Sequence, residues 1–147
     1  MNIESYLSGY ADGEGCFCVT FNKSKRHKLG WEIRPSFSVS QNNDRSEVIR
    51  LLKGYFGCGS IRKDRSDKTV KFEVRSIKDL VEKVISHFEK YPLISTKNRD
   101  FKFFAEICKR MYTQDHLLPN GFKEIVNLSC HINTSGIKRI PRNKIKI

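Results

Sequence analysis

Two acidic residues near the start of the chain, Asp12 and Glu14, are each followed by a glycine. Ile3, Leu7 and Tyr10 precede them at the spacing of one helix face, so the acidic pair is predicted to close a helix. Carboxylate oxygens suit Mg²⁺, which binds few protein ligands and keeps several waters. A plain amphipathic helix is the alternative interpretation, and it leaves two carboxylates between glycines unexplained.

A second candidate is a series of polar side chains that alternate with apolar ones along four predicted strands. Arg and Lys can bind guanine edges, Asn and Gln adenine, and Glu or Asp the cytosine amino group, and β-ribbons can enter the major groove. The predicted DNA-contacting residues are Thr20, Asn22, Ser24, Glu32, Arg34, Ser36, Ser38, Ser40, Ser60, Arg62, Asp64, Thr69, Lys71, Glu73 and Arg75. The pattern alone fits a merely solvated sheet face equally well.

The charge balance favours a polyanionic partner. The chain has 28 Lys and Arg against 16 Asp and Glu, a net charge of +12. The positive charge is spread along the whole sequence, whereas a membrane-surface helix would concentrate it on one amphipathic stretch. Double-stranded DNA is therefore the expected partner, with phosphates neutralised by Lys23, Lys25, Arg26, Lys28 and the C-terminal tail.

Several other classes are disfavoured. No apolar run reaches the ~18 residues of a membrane span, and we expect no membrane partner. The first 15 residues carry acidic side chains and lack the basic start and apolar run of a secretory or import peptide. The five cysteines form no Cys-x-x-Cys pair and the four histidines have no zinc-ligand spacing, which favours reduced thiols. No small-molecule cofactor is expected.

The first half of the chain is predicted to form helix, two strands and helix. Period-two alternation starts at Cys16, a basic loop covers residues 22–30, and a second strand covers residues 31–41. Pro35 lies within that strand and cannot donate a ladder hydrogen bond, so we expect a bulge or a sheet edge there. Asp44 and Glu47 form a predicted capping box for the next helix, and Gly57 is placed to end it.

The second half is predicted to form another strand pair and then helices. A hairpin covers residues 58–75, with its turn at Ser66 and Asp67. Ser76 is predicted to cap a helix over residues 77–90, and further helices cover 97–112 and 119–133, followed by a basic tail at about 134–147. Four strands in two hairpins separated by a helix indicate an α+β fold, an antiparallel sheet with helices on one face, in a single domain over residues 1–147.

Residues 7–15, LSGYADGEG, resemble the signature of the LAGLIDADG homing endonucleases. The segments FSVSQ at 37–41, YPLISTK at 91–97 and GFKEIV at 121–126 resemble that family at the corresponding places. The resemblance implies the αββαββα fold, with a saddle-shaped four-stranded sheet. Because the chain holds one copy of the motif, the resemblance also implies a homodimer.

The resemblance further implies a mechanism. Glu14, with the Gly13 carbonyl, would hold Mg²⁺; Mn²⁺ would substitute for it, and Ca²⁺ would support binding without cleavage. Gln41 would position the attacking water, Arg45 would support the water network, and Lys97 would lie near the scissile phosphate. Without the resemblance, a solvated strand end and two surface cations would explain these three residues. The implied substrate is a long pseudo-palindromic DNA site, and its cleavage would leave 3′ overhangs.

The family's motif helices pair through small side chains, and the matching residues here are Ser5, Ser8, Gly9 and Asp12, with Asp12 expected to cap the partner helix. An RNA-splicing maturase and a non-cleaving DNA-binding protein of the same fold are the alternative functions. The absence of an import peptide favours a protein encoded by an intron in chloroplast or mitochondrial DNA and acting there.

Overall fold

The computed structural model describes residues 1–133 and 144–147. Its elements are α1 (Ile3–Glu14), β1 (Gly15–Lys23), β2 (Trp31–Asn42), α2 (Glu47–Phe56), β3 (Ser60–Asp64), β4 (Thr69–Val74), α3, α4 (Lys97–Tyr112) and α5 (Pro119–Ser129). Helix α3 consists of Ile77–Asp79, a π-helical stretch Leu80–Ile85, and Ser86–Lys90. The predicted α+β class and αββαββα order are confirmed.

The four strands form one antiparallel sheet in the order β1-β2-β4-β3. Strand β2 pairs with β1 from Trp31 to Val39, whereas it pairs with β4 only from Phe37 to Asn42. Pro35 lies opposite Val19 in unbroken register and outside the β4 pairing. Pro35 therefore lies where β2 is a sheet edge, which confirms one of the two predicted placements and excludes the bulge.

Helices cover one face of the sheet, and aromatic rings fill the space between. The ring centroid of Phe17 on β1 lies 5.1 Å from that of Phe37 on β2, 5.6 Å from that of Phe88 on α3 and 5.2 Å from that of Phe104 on α4. All four rings are buried. Burial of each stabilises the fold by about 1.5–3 kcal/mol. This core fixes the sheet against α3 and α4 and leaves the other sheet face to solvent.

The helix ends follow the predictions in two places and depart from them in a third. Ser76 Oγ accepts a hydrogen bond from Asp79 N, and Gly57 ends α2 with a φ of 65°. The predicted capping box is wrong: Asp44 lies in a 3₁₀ turn, and the side chain of Ser46, immediately before α2, makes no cap hydrogen bond. Ser46 has a ψ of 7°, which is outside the extended conformation of an N-cap.

Helix α5 is shorter than predicted, because it ends at Ser129 and not near Asn133. Asn133 adopts a left-handed conformation, and its Nδ2 donates to the Phe17 carbonyl at 2.6 Å. Most of the predicted basic tail lies outside the described residues; in its last part, the backbone carbonyl of Lys146 accepts a hydrogen bond from Trp31 Nε1. Over the described residues, no helix has both the length and the apolarity to cross a membrane.

Candidate active site and nucleic-acid interface

The C-terminal end of α1 is exposed and passes directly into the sheet. Leu7 and Ala11 are buried against the core, while Gly13 and Glu14 are exposed. A Cβ added at Gly15 would lie 2.6 Å from the Ala11 carbonyl oxygen, so only glycine fits where the helix becomes β1. The sequence thereby presents the Glu14 carboxylate at the junction of helix and sheet.

Lys97, the first residue of α4, binds the end of α1. Its Nζ donates to the carbonyl of Asp12 at 2.9 Å and to that of Ala11 at 3.2 Å. The last carbonyls of a helix have no intrahelical partner, and a cation there interacts favourably with the helix dipole. The ammonium group is therefore held beside the backbone that precedes Glu14.

Asp12 binds the segment that leads into α4. Its carboxylate accepts hydrogen bonds from the backbone N–H of Ile94 at 2.9 Å, from that of Ser95 at 3.0 Å, and from the Ser95 hydroxyl. Partial burial raises the pKa of Asp12, but these hydrogen bonds and the charge of Lys97 outweigh it, so the pKa lies below its ordinary value. Within this chain the Asp12 carboxylate therefore holds residues 94 and 95, and the cap on a partner helix stays a prediction.

Ser8 was predicted to lie on the helix-pairing face of α1, but it faces the interior of the protein and is only 4% exposed. Its hydroxyl donates to the Tyr91 carbonyl at 2.7 Å and lies 2.9 Å from His87 Nε2. Since the hydroxyl has one hydrogen, Nε2 must be the donor to Ser8, and Nδ1 then accepts from the Tyr55 hydroxyl at 2.8 Å. Burial lowers the pKa of His87 to about 4, so the ring is neutral near pH 7.

The exposed face of α1 carries Ser5, Gly9 and Gly13, which follow one another at i, i+4 and i+8. A Cβ added at Gly9 or Gly13 would meet nothing within 4 Å. Of the predicted pairing residues, Ser5 and Gly9 thus lie on this face, whereas Ser8 does not. Gly13 is the third small residue on this face. The sequence could have revealed it, because Gly13 lies four residues after Gly9 and therefore on the same side of the helix.

Gln41 is brought to α1 by the sheet register. Val39 pairs with Gly15, so Gln41 extends past the start of β1 toward the helix. Its Nε2 donates to the Tyr10 hydroxyl at 3.0 Å, and its Oε1 accepts from Asn42 N at 2.9 Å. Sequence reasoning missed this role of Tyr10, because the two residues belong to different elements.

The end of α1 therefore assembles three of the four predicted catalytic residues: Glu14 within the helix, and Gln41 and Lys97 by hydrogen bonds to it. Arg45 is exposed in the turn after β2. Over residues 1–133 and 144–147, no hydrogen bond or ion pair connects Arg45 with the other three.

The donors available for a metal are hard oxygens. The exposed Glu14 carboxylate and the carbonyl of the exposed Gly13 suit Mg²⁺ better than a soft, thiolate-binding metal. Among the described residues, no group of three or more His, Cys, Asp or Glu side chains could hold an ion. The donor set fits Mg²⁺ held by few protein ligands and completed by water and phosphate oxygens.

The outer face of the sheet carries most of the predicted DNA-contacting residues in rows that the register defines, and Ser24 and Arg75 directly follow β1 and β4. One row is Ser40, Lys71 and Arg62, and another is Thr20 with Arg34. Exposed residues are Thr20, Asn22, Arg34, Ser60, Arg62, Asp64 and Arg75; partly exposed ones are Ser24, Glu32, Ser36, Ser40, Thr69, Lys71 and Glu73. Ser38 lies in the middle of the face and is buried.

Ion pairs connect several of these charges. Glu32 pairs with Arg34 at 2.8 Å, and Glu73 pairs with Arg75 at 2.9 Å and approaches Arg62 at 4.0 Å. Hydrogen bonding to Arg34 lowers the pKa of the partly exposed Glu32. The face thus combines cationic donors, neutral hydroxyls and carboxylate acceptors, which are the groups needed to distinguish base edges.

Comparison with known proteins identifies the family. The family model described as LAGLIDADG endonuclease matches residues 7–108. The chain belongs to this family. Its LAGLIDADG helix is α1, and the matched region includes Glu14, Gln41 and Lys97, the residues assembled at the end of that helix.

The LAGLIDADG chain is 35% identical, over 88% of its length, to "Probable intron-encoded endonuclease 2" of Neurospora crassa. It spans 29% of that protein's length and 24% of that of "Probable intron-encoded endonuclease 3" from the same organism.

Two solved structures extend the comparison. This chain is 34% identical in sequence to the homing endonuclease I-TnaI. Its fold matches that crystal structure with a TM-score of 0.84, over 90% of this chain and 89% of that one. This chain is also 31% identical in sequence to the LAGLIDADG homing endonuclease I-LtrWI, solved bound to target DNA. The two structures match with a TM-score of 0.87, over 92% of this chain and 46% of that one.

Proposed function

We propose that this LAGLIDADG chain is a site-specific homing endonuclease that acts as a homodimer, with residues 1–147 as one domain. It cleaves a long pseudo-palindromic DNA site by metal-dependent hydrolysis and leaves 3′ overhangs. The observation that carries the proposal is the assembly at the end of α1, where Glu14 is exposed and Lys97 and Gln41 are hydrogen-bonded to the same helix. Relatives named as endonucleases and a relative bound to target DNA support it.

Glu14 and the Gly13 carbonyl would hold Mg²⁺ in this proposal. When bound, the ion lowers the pKa of a coordinated water and neutralises charge on the phosphate oxygens. The Lys97 ammonium has three N–H donors, of which the Ala11 and Asp12 carbonyls use two. The third is available to a phosphate oxygen, where it would stabilise the charge that develops during cleavage.

Gln41 would orient the attacking water. Its Nε2 gives one hydrogen to Tyr10, and its Oε1 accepts one from Asn42 N, so one amide hydrogen and one lone pair remain for water. Both protein contacts fix the amide plane and therefore the direction of the remaining donor and acceptor. Arg45 has no such fixing contact within the described residues, and we propose that only DNA binding orders its guanidinium.

The homodimer would form through the exposed strip of Ser5, Gly9 and Gly13 on α1. Small residues let two helix backbones approach closely, and a twofold axis through the strip brings the two Glu14 carboxylates together. The exposed Tyr6 on α1 and the 96% exposed Ile94, whose N–H binds Asp12, would be covered by the second copy. The match to 46% of the DNA-bound I-LtrWI chain supports two such units on one site.

Double-stranded DNA would lie across the outer sheet faces of both chains. The net charge of +12 per chain attracts the phosphates, and the mixed polar face selects the sequence. Relatives named as intron-encoded support an organelle intron as the gene's location, with chloroplast or mitochondrion as the place of action.

The proposal is tested by selecting duplexes that bind the full chain in Ca²⁺ and then adding Mg²⁺. Wild type should cut the selected site in both strands, and Mn²⁺ should substitute. Glu14→Gln should bind the same site with little change and fail to cut, whereas the matched control Glu124→Gln, an exposed helix glutamate, should cut normally.

Specific binding by wild type without cutting in either metal would favour a non-cleaving DNA-binding protein and contradict the endonuclease. Selection of structured RNA over duplex DNA would favour a maturase. Normal cutting by Glu14→Gln would remove Glu14 from its proposed role.

A further inference from the structure

Two arginines on the outer sheet face are held by carboxylates in different ways. Arg34 donates from both Nε and Nη2 to Glu32, at 2.8 and 3.2 Å, so the side edge of its guanidinium is occupied and the Nη1–Nη2 end stays open. Arg75 approaches Glu73 through Nε at 2.9 Å. Over the described residues, no hydrogen bond from a terminal nitrogen of Arg75 reaches a carboxylate. Arg75 thus keeps the two terminal nitrogens with which an arginine binds guanine O6 and N7.

The Glu73 side chain is mostly buried by its neighbours in the sheet. It lies opposite Ser38 on β2 and Ser60 on β3, and its side chain is only 13% exposed. The side chain of Arg75 is 61% exposed and that of Arg62 64%, and the same Glu73 oxygen lies between them, at 2.9 and 4.0 Å. A nearly buried carboxylate therefore restrains two exposed guanidiniums.

We infer that Glu73 is a positioning residue that preorganises Arg75 as a guanine-reading side chain. The inference rests on the proposed function, because it concerns how the sheet face selects its DNA. Holding the guanidinium before binding reduces the entropy lost when it docks on a base. Each half-site therefore contains a guanine opposite Arg75.

Glu73 could instead accept a hydrogen bond from a cytosine amino group. Its burial and its engagement with Arg75 argue against this role, since the carboxylate would have to leave its partner to reach a base. The two roles differ in the position and identity of the base that each mutation affects.

Site selection from a randomised duplex library in Ca²⁺, with the full chain, separates these roles. Arg75→Lys keeps the charge but loses the fork, so it should lower the guanine preference at one position of each half-site by about 5- to 150-fold. Glu73→Gln should lower the preference at that same position by roughly 2- to 10-fold, with positions outside the reach of Arg75 and Arg62 unchanged. The matched control Glu32→Gln should leave that position unaffected.

Thermal unfolding of each variant shows whether the fold is retained. If Glu73→Gln is unstable, Glu73→Asp keeps the charge but shortens the arm and should give the same position-restricted loss. The inference is overturned if neither Glu73 variant changes the position set by Arg75, or if both lower a cytosine preference elsewhere. Enrichment of no sequence by wild type would overturn the proposed function as well.

Discussion

Substitution of the buried histidine of α3, His87→Gln, should change how the stability of the protein depends on pH. Burial lowers the pKa of His87 to about 4 in the folded chain, from an ordinary value of 6.5. The unfolded chain therefore takes up this proton near pH 6.5, while the folded chain takes it up only near pH 4. Folding stability is lost as the pH falls through this window.

The magnitude follows from linkage. A shift from 6.5 to about 4 corresponds to about 3 kcal/mol once both states are protonated, at ~1.4 kcal/mol per unit. At pH 4.5 most of this is already lost, so wild type should lose about 2–3 kcal/mol more than His87→Gln between pH 7.5 and 4.5. Comparison of the two proteins cancels the shared contribution of the carboxylates.

Urea unfolding, followed by far-UV circular dichroism at several pH values, measures this difference. At pH 7.5 His87→Gln should be the less stable protein, because Ser8 and Tyr55 lose their shared partner. The exposed histidine His27 provides a control, and His27→Gln should keep the pH dependence of wild type. A free-energy difference between wild type and His87→Gln that stays constant with pH would refute the reasoning.

Three further outcomes are expected. Lys97→Met should slow cutting at least tenfold in a single-turnover assay and lower the free energy of unfolding in urea by about 0.3–1 kcal/mol. The control is Lys102→Met, which changes an exposed residue of the same helix. Equal effects of the two substitutions would contradict the role of Lys97. Gly9→Leu should leave a folded monomer by sedimentation, whereas Gly54→Leu on α2 should stay dimeric; a dimeric Gly9→Leu would exclude the strip as the interface. Finally, affinity for the selected site should fall by about 10³–10⁵ between 50 and 200 mM salt if 6–10 phosphates are contacted, and a salt-independent affinity would contradict the charged interface.

Local patterns in the sequence predicted the elements well. The alternation of Phe17, Val19 and Phe21 reports directly which side of β1 is buried, because each side chain's direction depends only on the strand's own geometry. The end of α2 is also predictable locally, because Gly57 readily adopts the left-handed conformation that stops the helix.

The errors concern contacts between distant residues. Ser8 was assigned to the exposed face because it is small and polar, but His87 and Tyr91 from α3 and the following segment cover it. Nothing in the sequence indicated that the Asp12 carboxylate binds Ile94 and Ser95, which lie 82 and 83 residues further along the chain. Such pairings depend on how the elements pack, which side-chain size and polarity alone do not encode.

In the proposed homodimer, two chains must each supply one Glu14 to cut both strands of one duplex. Mixing equal amounts of wild-type and Glu14→Gln chains, allowing subunits to exchange, and measuring double-strand cutting under single-turnover conditions tests it directly. Random pairing leaves about one quarter of the dimers with two intact carboxylates, so the amplitude of double-strand cutting should fall to about a quarter of that of wild type. A fall to only one half would mean that each chain cuts alone, and it would contradict the account.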